Sequence, residues 1–524
     1  MAGVRRGRIL CVGRRHLGRS SGAGLGPLCC RDVEETDGET ATPLDDRLLG
    51  DRLLDDLEDA LGAGSVLRAG RDVLDRYLEP ARGRGGPAAA VLRPATTAQV
   101  CTVVRRAVLD GFRLLPQGAN TGLVGASVPP TVPSGSDPRP IVVLSTERLV
   151  DPIEVFADDR VAIVPAGVRL STLNDRLAPL GLSLPIDLGA DPCLGAMVAT
   201  DTGGARMLAH GDMRRRVLGV EAVLADVELT NGSGPTVIDD LTRLRKDNTG
   251  PRLTSLMVGS GGALGVVTRV AVELARVPRE TACGLLAPVD AAAALDALRI
   301  LEDALGPLLS AYEVVSDTAL DLAVDHIDGL RSPWGDRSPA PEVMVLVEAA
   351  GPIGTAEVLA DAVAALDDAG VVDDAVLVPT DRAWHLRHSI TEGLARAGTV
   401  VGFDVSVPRS ELVAFRDDVR ERLATTVPRA VVADFGHWAD GGTHCNLVFT
   451  GGPPGDSERA DARRVVFGTA VDDHHGSYSA EHGIGPHNAD WWIRTTPPGD
   501  RAVLRSLRER CDPHRVLGHP ALPF

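Results

Sequence analysis

Lysine is almost missing from this chain: Lys246 is the only one, and arginine carries nearly all the positive charge. That skew, with abundant Ala, Gly and Pro, fits a high-GC genome rather than a special function. Aromatic residues make up 3%, so the core must come mainly from Val, Leu and Ala. No apolar run approaches the ~18 residues that a bilayer-spanning helix needs, so no transmembrane segment is expected. A basic surplus is also absent. The formal net charge is −18, which argues against nucleic acid as a partner, because phosphate binding needs a basic face. An anionic ligand would need a site made locally positive by arginine or a metal. The eight cysteines contain no C-x-x-C pair, and a chain of 524 residues is unlike a disulfide scaffold. They read as reduced thiols, and the chain as cytoplasmic. No G-K-[ST] occurs, so there is no P-loop.

The first thirty residues hold six arginines and no acid. A transit peptide has this composition, and so does a start codon set too far upstream; the second reading is preferred. Residues 1–45 are expected to be a disordered extension. From there to about residue 85 the leucine spacing predicts mostly helix. Thr96 or Thr97 should cap a helix that buries Val100, Val103, Val104, Ala107 and Val108 and stops at Gly111. Strands are expected at 112–115, 141–144, 161–165, 220–224 and 266–274, with a helix over 171–180. A second α+β region should run over 278–500, and a helical then Pro-rich tail over 501–524. The length suits two to three domains.

Four Gly-rich segments stand out: residues 114–129 (LLPQGANTGLVGASVP), 187–204, 245–251 and 259–268 (GSGGALGVVT). Glycines let successive backbone N–H groups face a diphosphate. A turn-rich hairpin would look the same. The last segment imitates a dinucleotide fingerprint, but the residues after it, VVTRVAVEL, alternate like a strand where that motif requires a helix. Further on, residues 436–446 (GHWADGGTHCN) and 479–485 (SAEHGIG) bring His437, His444, Glu481 and His482 close in sequence. Such residues can supply three metal ligands and a base. Two histidines seven apart are, taken alone, more often unrelated residues.

In order along the chain, these motifs resemble the vanillyl-alcohol-oxidase-type FAD proteins, and within them the D-2-hydroxy-acid dehydrogenase branch. The family loop P-x-G-x-N-T-G-L-V-G-x-S-V-P is matched from Pro116 to Pro129. The likeness covers about residues 88–520. It implies an α+β fold: a two-subdomain FAD-binding domain (46–277), an α+β substrate and metal cap domain (278–500), and a tail returning to the flavin domain (501–524). Cofactor-binding residues implied by the match are Pro116, Gln117, Gly118, Ala119, Asn120, Thr121, Gly122, Gly125, Ser127, Asp187, Gly195, Thr200, Gly203, Gly204, Gly265 and Val266. Relatives that attach flavin covalently use a histidine in the first loop; Asn120 stands here, so the FAD is expected to be noncovalent. The resemblance also implies a divalent metal, zinc or manganese, on His437, His444 and Glu481. His482 is then the base, Arg387 clamps the substrate carboxylate, Thr391 on the same helical face matches the hydroxyglutarate-type pattern, and Asn446 completes the site. Cys445 should point away and merely pack.

The implied activity is oxidation of a small D-2-hydroxy acid to a 2-oxo acid. Diacids like D-2-hydroxyglutarate rank above D-lactate or glycolate, because Arg387 and Thr391 are both present. An electron-transfer flavoprotein, a quinone or a cytochrome would take the electrons, and a homodimer is compatible. Two alternatives are a flavin-dependent ether-lipid-type transferase and a non-catalytic flavoprotein subunit. The chain departs from the family pattern at Gly402, where hydroxyglutarate-type members carry lysine, at Gly442 and Asp201, and in residues 518–521.

Overall fold

Three main sheets and a two-stranded pair organise the described residues in a computed structural model, which describes residues 49–524 apart from 73, 82, 132–136, 228–233 and 336–339. The expected extension over 1–45 lies outside the described residues. Strands β1 (Val66–Arg68), β2 (Ala90–Leu92), β3 (Arg113–Gln117) and β4 (Ile141–Ser145) form the first sheet, in the order β1-β2-β4-β3. Both β2 and β3 run parallel to β4. Next come β5 (Glu154–Phe156), β6 (Val161–Pro165), β7 (Leu182–Ser183), β8 (Val217–Val223), β9 (Val237–Asp239), β10 (Val266–Glu273) and β11 (Ala275–Arg276). They make an antiparallel sheet, β5-β6-β10-β8-β9, and a β7-β11 pair. The GSGGALG segment thus feeds a strand, β10, as its alternation predicted.

Local chemistry explains the helix that joins β2 to β3. The Thr96 side chain accepts the Gln99 N–H, Gly111 closes the helix in the left-handed region, and Val100, Val103, Val104 and Ala107 are fully buried. The expectation of helix over most of 45–85 needs correction. The helix Asp51–Leu61 ends at Gly62, and Val66–Arg68 is a strand paired with β2. Gly62 and Gly64 both adopt positive φ, which interrupts the leucine pattern.

The largest sheet is antiparallel and seven-stranded: β12 (Glu280–Pro288), β13 (Leu309–Ser316), β14 (Val343–Gly351), β15 (Val372–Val378), β16 (Thr399–Ser406), β17 (Val431–Gly436) and β18 (Gly442–Phe449). Its order is β15-β12-β14-β13-β17-β18-β16. Helices Ala291–Leu305, Thr355–Asp368, Leu412–Thr426 and Asp456–Gly468 share the apolar core of one face. Helices Asp317–His326 and Thr380–Ala397 cover part of the other. With both faces covered, every residue of β13 is buried, and Glu313 is the single charged residue in its largely apolar sequence, LSAYEVVS.

The helix Thr380–Ala397 positions much of the site. Ala383, Leu386, Ile390 and Leu394 recur at helical spacing and are buried against the sheet. Each buried Leu or Ile contributes about 1.5–3 kcal/mol. At Gly393, a Cβ would come 2.5 Å from Ala323 Cα, so only glycine lets the two covering helices approach this closely. The C-terminal tail packs Val516 and Leu517 into the core of the first two sheets, and Leu522 and Phe524 into that of the third.

Candidate active site

β17 and β18 form a hairpin with His437 in its turn and His444 on β18. Register places His444 opposite Asp404 of β16 on one side and Phe435 of β17 on the other, so these side chains share a face. The chain returns at residues 477–482. There the Glu481 and His482 N–H groups both donate to Asp404 Oδ2, at 2.9 and 2.8 Å.

This arrangement gathers three imidazoles around one carboxylate oxygen. Glu481 Oε1 lies 3.6 Å from His444 Nε2, 3.8 Å from His482 Nε2 and 4.0 Å from His437 Nε2. Ligands at ~2.1 Å around a tetrahedral metal lie about 3.4 Å from one another, so the set is close to a coordination shell. Carboxylates also face the other ring nitrogens. His437 Nδ1 is 2.5 Å from Glu313 Oε1, and the Nδ1 atoms of His444 and His482 are each 3.5 Å from Asp404. A carboxylate at Nδ1 orients each ring so that its Nε2 turns toward the shared Glu481 oxygen. Asp404 Oδ1 is buried with no hydrogen-bond partner, and His444 Nδ1 is poised to approach it. The donor set therefore fits a divalent metal. Asp404, His444, Glu481 and His482 can bring ligand atoms within 4.8 Å of one another.

Burial works against a charge on His437, but the Glu313 carboxylate more than offsets it and lifts the imidazole to about 9. For Glu313, burial pushes upward, and the His437 and Arg387 charges hold the carboxyl well below its usual range. Its second oxygen, Oε2, accepts from Arg387 Nε at 2.8 Å. The guanidinium of Arg387 also lies over the Phe435 ring, 4.5 Å from its centroid. Among the described residues nothing bonds Nη1 or Nη2, so the outer edge of the fork is open. Thr391 is exposed one turn further along the same helix. Asn446 is buried on the same face of β18, opposite Gly402, with Nδ2 donating to the His444 carbonyl at 3.3 Å. Cys445 points the other way, and burial pushes its thiol up to about 12.

The Gly-rich blocks meet this cluster from the other sheets. A Cβ on Gly203 would lie 3.5 Å from Glu481 Oε2, and one on Gly125 would lie 3.5 Å from His487 Nε2. In the first loop, which follows β3, polar side chains tie the loop to itself and to residues 77–79. Gln117 donates to the Tyr77 and Ser127 carbonyls, Ser127 Oγ donates to Asn120 Oδ1, and Asn120 Nδ2 donates to the Glu79 carbonyl. Among the described residues, no backbone N–H from Gly118 through Ala119, Asn120, Thr121 and Gly122 donates to a protein acceptor, and a Cβ on Gly122 would meet open space. A run of unpaired N–H groups beside open space fits a diphosphate. Gly204 takes φ +149° against the Asp187 carbonyl, and Asp187 itself pairs with Arg206. Gly195 packs on Ala166, and Gly265 and Val266 lie along β8, so these three shape the scaffold. The Thr200 hydroxyl donates to the Ala196 carbonyl.

Sequence reasoning missed Glu313 and assigned no role to Asp404. The one available signal for Glu313 was an acid inside the apolar run of β13.

An α+β fold that combines flavin-type Gly-rich loops with an imidazole–carboxylate cluster defines an FAD-linked oxidoreductase. Residues 88–233 match the FAD binding domain model, and 277–519 match that of FAD linked oxidases, C-terminal domain. The chain belongs to the FAD-linked oxidase family, in its D-2-hydroxy-acid dehydrogenase branch. It is 34% identical to the mitochondrial D-2-hydroxyglutarate dehydrogenase of Bos taurus, over 88% of this chain and 82% of that one. Against the Arabidopsis thaliana enzyme of the same name it is 32% identical, over 82% and 74%. A solved structure of alkyldihydroxyacetonephosphate synthase superposes with a TM-score of 0.67 at 16% identity, covering 90% of this chain and 86% of that one. This likeness concerns the fold alone.

The cytoplasmic expectation is overturned by relatives named as mitochondrial. Cysteine usage separates reducing from oxidising compartments; it does not separate cytosol from organelle.

Proposed function

We propose that this protein oxidises a small D-2-hydroxy acid to the 2-oxo acid, with FAD and a divalent metal. The observation that carries this reading is the convergence of three Nε2 atoms on Glu481 Oε1 within 4.0 Å, beside Gly203 of a flavin-type loop. FAD would be held noncovalently by the loops of residues 46–277, and zinc or manganese by His437, His444 and Glu481 in residues 278–500. When bound, these groups supply a hydride acceptor at flavin N5 and a Lewis acid that makes the substrate hydroxyl more acidic. The open fork of Arg387 holds the substrate carboxylate. His482 takes the hydroxyl proton at Nε2, because its Nδ1 faces Asp404. Thr391 and Asn446 complete the polar lining. A diacid is the preferred substrate, ahead of D-lactate and glycolate. Electrons leave to an electron-transfer flavoprotein, a quinone or a cytochrome. No helix among the described residues is long and apolar enough to cross a membrane.

The test is a panel of 2-hydroxy acids with a dye acceptor, with and without chelator. D-2-hydroxyglutarate should be turned over best. Chelation should abolish turnover, and zinc or manganese should restore it. Undiminished activity in the metal-free protein would overturn the metal assignment, and a protein unable to take up FAD would sink the whole reading.

A further inference from the structure

Arg206 follows the Gly203–Gly204 turn and crosses to the large sheet. Its Nη1 donates to Asp187 Oδ2 at 2.8 Å, while Nε and Nη2 grip the two oxygens of Glu348 at 2.8 and 2.9 Å. Glu348 is fully buried in β14, where an unpaired carboxylate would be strongly disfavoured. It also accepts from Ser310 Oγ at 2.6 Å and from Trp384 Nε1 at 2.7 Å. The guanidinium lies over the Trp384 ring, 5.3 Å from its centroid. Trp384 is one turn before Arg387 on the helix Thr380–Ala397. A continuous run of contacts therefore leads from Asp187 through Arg206, Glu348 and Trp384 to the helix that carries Arg387, and on through Glu313 to His437.

We propose that Arg206 is a positioning residue that holds the Arg387 helix in register with the flavin loop, so that a clamped hydroxy acid presents its Cα to the flavin. This rests on the reading of Arg387 as the carboxylate clamp. The planar fork matters, because it bonds two carboxylates on different elements at once. A lysine keeps the charge and loses that geometry.

The experiment is a double-mutant cycle with Arg206→Lys, Arg387→Lys and the pair, measured as kcat and KM on FAD- and metal-loaded protein. Arg206→Lys should lower kcat/KM roughly 10–100-fold, as expected for a small misplacement of reacting groups, with flavin content unchanged. Adding it to Arg387→Lys should cost little more, since the clamp is already lost. Additive effects, or a fall in flavin content and Tm with no change in kcat/KM, would leave Arg206 a structural residue and overturn the proposal. If Arg206→Lys does not fold, Trp384→Phe, which deletes one donor to Glu348, reads the same coupling. The cycle also separates the two ideas. Arg387→Lys leaving KM unchanged defeats the clamp and this proposal with it; a raised KM with an additive cycle defeats the positioning role alone.

Discussion

Both faces of the seven-stranded sheet bury carboxylates, and they differ in the partners those carboxylates meet. Asp434 projects from β17 on the same side as Cys445, bonded to Arg416 Nε at 3.0 Å and Arg420 Nη2 at 2.6 Å. Guanidinium donors stay protonated and carry no lone pair, so that cluster offers a cation no ligand, and Arg416 Nη2 and Arg420 Nε stay buried without a hydrogen-bond partner. On the opposite face, Asp404 and Glu313 are faced by imidazoles. A ring held at Nδ1 keeps a second nitrogen, and three such nitrogens turn toward Glu481. Burial of charge alone therefore does not mark the site. Imidazole rings that carboxylates orient toward one shared oxygen do.

The strongest way to break this contrast is Asp404→Asn. One carboxylate here faces two imidazoles and accepts two backbone N–H groups. An amide would turn an NH2 toward one of these donors and remove the negative charge from both rings. Activity and bound metal should fall roughly 100-fold, at the upper end for an outer carboxylate. Activity within a few-fold of the parent would mean that the rings are set by packing. The matching change on the other face, Asp434→Asn, should cost about 3 kcal/mol of stability, because Arg416 is left buried and only partly paired. Its kcat/KM should stay within about twofold. Loss of turnover in folded Asp434→Asn would erase the distinction between the faces.

What was legible in the sequence follows the range of each interaction. The capped helix after Thr96, the strand after GSGGALG and the outward turn of Cys445 depend on residues a few positions apart, and they read correctly. Where Gly62 and Gly64 break a leucine pattern within a few residues, helix was overextended. The histidines and Glu481 were visible because they lie in two short motifs. Glu313 lies 124 residues from His437, and Glu348 lies 142 from Arg206, so no local pattern joins them. Each was detectable only as a lone acid in an apolar strand, which tells that a partner exists without naming it. Gln117 and Asn120 were found as motif residues, yet their side chains bond the Tyr77 and Glu79 carbonyls of the preceding segment.

The gentlest test of the contrast is pH, at a buried imidazole far less richly provided with acids. His519 is 1% exposed in the tail, where its Nδ1 accepts the Ala521 N–H at 3.1 Å. Burial, with Arg113 and His487 nearby, lowers it to about 4 from an ordinary 6.5. The folded state thus refuses a proton that the unfolded chain accepts. The stability this ring contributes is intact above pH 6.5, drains as pH falls toward 4, and changes no further below that. The full loss is on the order of 1–3 kcal/mol. His519→Asn, which can still accept the Ala521 N–H, should flatten this part of the pH–stability profile without altering turnover at neutral pH. Denaturant melts at pH 7 and pH 5 would show it. An equal acid loss in parent and variant would mean that the ring is protonated in the fold, and that burial without a carboxylate is not enough to keep it neutral.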